Sequence, residues 1–287
     1  MPPDDVDGIR RDLAAALREA RAEVGISGRA LAARAHMSQS KISRLECNKL
    51  APTAVDVELI LRALDVEPDS IARITNLAYK AATEFHTDRH FEQAGWAHKQ
   101  QEMRTLEDAS SEMRFFLPAI LAGLLQTKEY TLRAIRQAVA VGGDLSSVIP
   151  TLVERKKTLR SGACHFQFIL TESAVRWPYL EPRFLSQQMR HLIELSLLPT
   201  VSIRIIPLVW KIIGQGPMNT FVIYDRRLVS IEISSGEASL AHPRNIAYHL
   251  ELFDYFANQA LSEKESRRLL HKLAEEFAEE PYRLSPA

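Results

Sequence analysis

The stretch that most constrains this chain is residues 27–49, with the sequence SGRALAARAHMSQSKISRLECNK. It predicts two short helices joined by a tight turn at His36-Met37. Ser27 and Ser38 can each begin a helix, because a serine hydroxyl accepts a hydrogen bond from an unpaired amide of the first helical turn. The fold of the N-terminal region is therefore predicted to be built around this pair of helices.

The second of these helices has two different sides. Ile42 and Leu45 lie three residues apart and are predicted to face the first helix. The remaining side is polar and basic, and its side chains can bond base edges or phosphates: Gln39, Ser40, Lys41, Ser43 and Arg44. Asn48 follows the helix at the position where a left-handed residue is expected.

The order of residues adds more than the spacing. The pattern S-x-x-x-L-A-x-x-A-x-x-S-Q-S-x-I-S-R-L-E-x-N-K, followed by Pro52-Thr53, resembles the XRE (Cro/phage-repressor-like) helix-turn-helix family. Asn48 stands where that family usually has glycine. The resemblance covers residues 9–70 and implies sequence-directed binding of double-stranded DNA. The residues it assigns to DNA contact are Ser27, Arg29, Ser38, Gln39, Ser40, Lys41, Ser43, Arg44, Asn48 and Lys49. Periodicity alone leaves an alternative, an all-α bundle without a DNA-binding role.

Charge is distributed unevenly along the chain. The 36 basic and 36 acidic residues balance, which argues against a generally basic nucleic-acid coat. Residues 18–49 hold seven basic and three acidic residues, a local net charge of +4. Such a patch suits phosphate contact and counterion release. The alternative is an ordinary solvated surface of mixed charge.

Several features of the sequence indicate in which cellular compartment the protein works and whether it needs a cofactor. Cys47 and Cys164 are far apart and form no disulfide framework. The N-terminus lacks the apolar segment of a secretory signal, and no apolar run approaches the ~20 residues of a membrane helix. We expect a cytoplasmic protein without membrane contact, cofactor or metal. His86 and His90 could share a helical face and bind a metal, but a polar helix end is the simpler interpretation.

The chain is predicted to fold as an all-α five-helix helix-turn-helix N-terminal domain followed by an α+β C-terminal domain with a roughly four-stranded sheet. We divide it into a disordered segment 1–8, the DNA-binding domain 9–70, a linking helix 71–90 and the α+β domain 91–287. Predicted strands lie at residues 165–170, 201–205, 220–224 and 228–233. Predicted C-terminal helices lie at residues 96–117, 128–141, 147–160, 182–198, 246–260 and 262–280.

The C-terminal region carries a second resemblance. Trp96, Leu106-Glu107, the segment Gly123–Tyr130 and Leu261–Ser266 look like the antitoxin-like (WhiJ-type) companion domain of many actinobacterial XRE regulators. The resemblance covers about residues 85–280, although Ala122 stands where proline is usual. It implies a transcriptional regulator, often paired with a small protein encoded by a neighbouring gene, and no enzymatic activity.

Four residues are candidates for a ligand or partner site: Gln126, Arg155, Glu172 and Arg176. In the alternative, Gln126-Thr127 caps a helix and Arg155 pairs with a buried acid. Trp177 and Trp210 are predicted to be core or dimer-interface residues. No nucleophile elbow, phosphate loop or zinc spacing is present, so no catalytic residue is predicted.

Two functions are compatible with these patterns. The first is a dimeric, sequence-specific transcriptional regulator whose C-terminal domain supplies dimerisation and senses a partner protein or ligand. The second is an antitoxin-like interaction module that neutralises a small neighbouring protein and autoregulates its own operon.

Overall fold

The structure of this chain, a computed structural model, describes residues 3–50, 52–81, 86–87, 103–138, 154–209, 214, 216–233 and 236–280. By its internal contacts the chain divides into two compact units. The first contains Met1–Gln93 and Ile223–Leu250, and the second contains Ala94–Val222 and Glu251–Ala287. Residues 223–250, which the sequence assigned to the C-terminal domain, therefore group with the N-terminal helices.

The first unit begins with five helices, which confirms the helical N-terminal region, although the fifth is the helix that we expected to link the two domains. They are α1 (Pro3–Glu23), α2 (Gly28–Arg34), α3 (Gln39–Glu46), α4 (Ala54–Leu64) and α5 (Pro68–Ala81). Helix α1 begins at Pro3, so it includes most of the segment that we expected to be disordered. Proline is tolerated in a first helical turn, where its missing amide would be unpaired anyway.

One apolar core joins all five helices. Its residues include Leu13, Leu17, Leu31, Ile42, Leu45, Val57, Ile60, Leu64, Ile74 and Ala78. Burying each of the larger side chains contributes about 1.5–3 kcal/mol to folding. Ile74 and Ala78 belong to α5, so the helix that we predicted as a linker packs into the bundle.

Strands from both ends of the first unit pair with each other. They are β1 (His86–Thr87), β6 (Leu228–Ile233) and β7 (Gly236–Leu240). Strand β7 runs antiparallel to β1, with His86 opposite Glu237, and antiparallel to β6, with Val229 opposite Leu240. His86 therefore lies in a strand and not on the helical face that a His86–His90 metal pair would need. His90, Asp88 and His98 lie outside the described residues.

The second unit contains a parallel sheet. Strands β2 (Glu112–Leu117), β3 (His165–Thr171) and β4 (Val201–Ile206) pair in parallel. Leu117 lies opposite Leu170, and Phe166 lies opposite Val201. Strand β5 (Thr220–Tyr224) crosses the division between the units, and its first residues neighbour β2.

Helices cover this sheet and close its core. They are α6 (Lys128–Ala138), α7 (Glu172–Arg176), α8 (Pro182–Leu195), α9 (Pro243–Gln259) and α10 (Glu263–Glu279). The Phe116 ring stacks on Phe256 of α9 at 4.0 Å between centroids. Helix α10 is tied to β4, because the buried Ser266 hydroxyl accepts the Ile205 amide at 3.0 Å. The predicted capping box of α10, Ser262 with Glu265, is confirmed.

The predicted sheet of about four strands is too small. In the part of the chain that the structure describes, six strands lie C-terminal to residue 111, and β1 is a seventh. The predicted helix 96–117 is wrong in its last part. The described helical stretch covers residues 103–108 only, and strand β2 follows it. Met113, Phe115 and Leu117 alternate as in a strand, and pairing with β3 decides their conformation.

The second missed strand is β7, whose sequence GEASL has weak strand propensity and depends on its neighbours β6 and β1. Other predicted segments lie outside the described residues, namely 1–2, 96–102, 139–153 and 281–287. No helix in the described ranges is long and apolar enough to cross a membrane.

Candidate nucleic-acid interface

The turn between α2 and α3 is fixed by two serine caps and one left-handed residue. The Ser27 hydroxyl accepts the Ala30 amide at 3.1 Å, and the Ser38 hydroxyl accepts the Lys41 amide at 3.2 Å. His36 adopts φ 52°, and the amide of Met37 donates to the Ala32 carbonyl at 2.8 Å. Ser27 and Ser38, both predicted DNA contacts, thus also hold the geometry of the motif.

Helix α3 also ends as its sequence predicts. Asn48 adopts φ 54°, the left-handed conformation expected one residue beyond the helix cap. The Lys49 amide donates to the Arg44 carbonyl at 2.8 Å, and the Asn48 amide donates to the Leu45 carbonyl at 3.1 Å. These two bonds form a Schellman motif, which satisfies the last carbonyls of the helix and turns the chain sharply.

The two sides of α3 are separated as predicted. Ile42 and Leu45 are buried in the core of the bundle. The opposite side is exposed and consists of Gln39, Ser40, Ser43 and Arg44. Arg29, Asn48 and Lys49 are exposed as well. This surface offers amide, hydroxyl and guanidinium groups, which are the groups that read base edges and bind phosphates.

Lys41 differs from the other predicted contacts. Its Nζ lies 2.7 Å from Oδ1 of Asp56, whose side chain is only 1% exposed. The other carboxylate oxygen of Asp56 accepts the Thr53 amide at 3.1 Å and completes the predicted capping box of α4. The structure therefore uses Lys41 to join α3 to α4.

A second ion pair joins α3 to α1. Arg21 donates from Nε and Nη2 to the two carboxylate oxygens of Glu46, at 2.6 and 2.9 Å. The hydrogen bond with Glu46 raises the pKa of Arg21. This pairing neutralises the only acid of α3, so Glu46 does not present a free negative charge beside the exposed side of that helix.

Arg155, one of the four C-terminal candidates, lies against Glu107 in a buried bidentate pair. Its Nε donates to Oε2 of Glu107 at 3.0 Å, and its Nη2 donates to the other oxygen. Burial raises the pKa of the Glu107 carboxyl, and the charge of Arg155 opposes that rise. The structure therefore agrees with the alternative given from the sequence, in which Arg155 pairs with a buried acid and does not bind a ligand.

Gln126 lies in a network of hydrogen bonds around the Gly123–Thr127 segment. Its side-chain amide donates to the Leu121 carbonyl at 2.7 Å. The buried Gln188 brackets the same segment, since it donates to the Leu125 carbonyl and accepts the Thr127 amide. Lys156 donates to the Gln126 carbonyl at 2.7 Å, and burial lowers the pKa of its amine to about 8.

Glu172 and Arg176 contact each other directly. The Arg176 Nε donates to Glu172 at 2.6 Å, and its Nη1 donates to Glu276 at 2.9 Å. The second oxygen of Glu172 accepts the Leu208 amide at 2.9 Å. All four candidates therefore have partners inside the chain, and a ligand role for them stays a prediction.

The sequence did not predict the hydrogen bonds that Lys156 and Gln188 make to the Gly123–Thr127 segment, or the ion pair of Asp56 with Lys41. Asp56 was visible only as part of a T-x-x-D cap, and nothing local indicates that it also binds Lys41.

Trp177 is 56% exposed, so it is not a core residue. Trp210 lies outside the described residues. Within the described ranges, no group of three or more His, Cys, Asp or Glu side chains could hold a metal ion.

Two family models match the chain. A helix-turn-helix domain matches residues 12–74, and a domain of unknown function, DUF5753, matches residues 100–272. No curated protein matches the chain. No solved structure matches it either.

Proposed function

Because this chain belongs to the DUF5753 family and carries a helix-turn-helix domain in front of that family's domain, we propose that it is a sequence-specific DNA-binding transcriptional regulator. The observation that carries the proposal is the exposed polar side of α3. There Gln39, Ser43 and Arg44 face solvent while Ile42 and Leu45 fix the helix from behind. A second helix of this kind, presented by a tight turn, is the element that enters the major groove in helix-turn-helix proteins.

The regulator we propose is a cytoplasmic homodimer of the XRE type. Two copies would read half-sites about one helical turn, ~34 Å, apart. The C-terminal domain would supply dimerisation and respond to a small ligand or to a protein encoded by a neighbouring gene. Exposed apolar side chains in the second unit, namely Trp177, Leu208 and Val209, support an interaction role for that unit. We propose no enzymatic activity.

The same exposed side chains favour the antitoxin-like alternative, in which this unit neutralises a small protein. Co-purification of the chain with the product of a neighbouring gene would support it. A neighbouring product that does not co-purify and does not alter operator binding would count against it.

Selection of duplexes from a random DNA library by the purified full-length chain tests the proposed function directly. We expect a motif with two-fold symmetry to be enriched. Chromatin immunoprecipitation from the native organism should recover sites with the same motif. A selected pool without any common sequence would contradict sequence-specific recognition.

A further inference from the structure

Helix α4 has two buried sides, and the helix bundle accounts for only one of them. Val57, Ile60, Leu61 and Leu64 belong to the core that joins the five helices. Leu59 and Glu58 are also buried, at 5% and 4% exposed, but are not part of that core. In the first unit, the strands β6 and β7 contact α4. These strands come from the DUF5753 part of the sequence.

The turn between β5 and β6 binds this second side of α4 through four charged groups. Arg62 donates from Nε to Glu58 at 2.7 Å and from Nη2 to Asp225 at 2.9 Å. Arg227 Nε lies 2.8 Å from the same oxygen of Glu58. Two cations and two carboxylates thus form one neutral network, which is named here the α4–hairpin network.

Because the network is largely buried, each of its charged groups depends on its particular partner. The side chains of Glu58 and Arg62 are 4% and 11% exposed, so loss of one partner would leave a charge with little access to water. Asp225 adopts φ 52°, the left-handed conformation, in the turn between β5 and β6. Arg226, the residue between Asp225 and Arg227, is exposed.

Helix α4 is tied at a different point to α3, the helix that we propose to enter the major groove and that is called the recognition helix below. Asp56 in the first turn of α4 binds Lys41 of α3. At 100° per residue, Glu58 and Arg62 lie about 200° and 240° around the helix from Asp56. The hairpin therefore approaches α4 from the side away from α3, and it leaves the exposed side of α3 open.

We propose that the α4–hairpin network is a positioning contact, through which the DUF5753 part of the chain holds α4, and with it the recognition helix, in the DNA-binding arrangement. The functional DNA-binding unit is then α1–α5 together with the β5–β6 hairpin. Loosening the hairpin adds conformational freedom that must be lost again on binding DNA, so operator affinity falls. The proposal rests on the proposed DNA-binding function for its effect on affinity.

A double-mutant cycle in the full-length chain tests this role. Asp225→Asn removes the charge and keeps a residue type that tolerates the left-handed conformation. We expect Asp225→Asn and Arg62→Gln each to lower operator affinity about fivefold or more. The dependence on salt should stay unchanged, because neither variant removes a phosphate contact. The double variant should lose little more affinity than the single variant with the larger loss, since Arg62→Gln alone already breaks the contact with Asp225.

Two control variants separate the network from general charge effects. Arg226→Gln changes the charge of the same turn outside the network. Arg73→Gln breaks an exposed pair between α5 and Glu19 of α1. Both should bind the operator as the wild type does. If Asp225→Asn does not fold, Arg227→Gln breaks the other contact between the turn and α4 and takes its place in the comparison.

Hydrogen exchange supplies a readout that does not depend on DNA. In Asp225→Asn, the amides of α4 and of the β5–β6 turn should lose protection together, while those of the parallel strands β2–β4 keep theirs. If the wild type selects no DNA, the proposed function fails, and the exchange result alone decides whether the hairpin holds α4. Wild-type affinity or a rise in affinity for the network variants, additive single effects, or unchanged protection of α4 would each overturn the proposal.

Discussion

The exposed side of α3 and the four C-terminal candidates were both predicted from polar residues in short motifs, yet the structure places them differently. Gln39, Ser43 and Arg44 are exposed, and their polar groups face solvent. Arg155 and Gln126 are buried, and each is bonded to a partner within its own unit. Buried polar groups must be satisfied inside the protein, whereas exposed ones remain open to a ligand. Burial therefore distinguishes Arg155 and Gln126 from the exposed side of α3 where residue type alone does not.

The largest effect is expected for Arg155→Ala, which leaves Glu107 buried without its partner. We expect the free energy of unfolding to fall by about 3–5 kcal/mol, as measured by urea denaturation. Arg104→Ala is the control, since it breaks the exposed pair with Asp108 in the same helical stretch and should cost about 1 kcal/mol or less. An Arg155→Ala variant with the free energy of unfolding of the wild type would show that the buried pair is not needed for folding, and Arg155 would then remain a candidate for binding a ligand.

Lys41→Gln is expected to act on stability more than on DNA binding. It leaves the buried Asp56 carboxylate without its cation and should lower the free energy of unfolding by about 1–3 kcal/mol. The salt slope of DNA binding should match that of the wild type, because Lys41 is held by Asp56. A salt slope reduced by about one would show instead that Lys41 contacts a phosphate.

Gln39→Ala is expected to change which sequences are bound. Loss of a bidentate contact to a base should remove about 1–3 kcal/mol of discrimination at one base pair. Repeating the library selection with this variant measures the effect, and the other positions of the motif should keep their preference. An identical motif from the variant would place Gln39 outside the base contacts.

Arg44→Ala is expected to weaken binding to all sequences alike. The loss of one phosphate contact should reduce the salt slope by about one. Titrations of a specific and an unrelated duplex at several salt concentrations provide the measurement. Equal salt slopes for wild type and variant would show that Arg44 does not contact the backbone.

The smallest effect concerns Lys156, a half-buried cation that contrasts with the exposed Arg44 of α3. Burial lowers the pKa of Lys156 in the folded chain from the ordinary lysine value of 10.5 to about 8, so the unfolded chain binds more protons between these two pH values. The stability of the wild type should therefore rise with pH in this range, relative to Lys156→Met. We expect about 1 kcal/mol or less, because solvent reaches part of the amine. The exposed neighbour Lys157 provides the control, and the stability of Lys157→Met should depend on pH in the same way as that of the wild type.

Much of the fold was readable from local sequence. Ser27, Ser38, Thr53 with Asp56, and Ser262 with Glu265 marked helix starts, because a cap needs only a side chain and the amides two or three residues ahead. The strands Thr220–Tyr224 and Leu228–Ile233 were predicted with the bounds that the structure has. The caps depend only on neighbouring residues, and the pattern of apolar residues marked the two strands although their pairing involves other strands.

The rest depended on partners distant in the sequence. Strand β2 was taken for a helix because its apolar residues fit either pattern, and only the pairing with β3 decides between them. Local sequence determined the motif on α3 and the side of it that is polar. Tertiary structure decided that Lys41 binds Asp56, that Arg155 binds Glu107, and that a C-terminal hairpin covers α4. These contacts join residues up to 169 positions apart, and no local energy term specifies which distant charge a side chain meets.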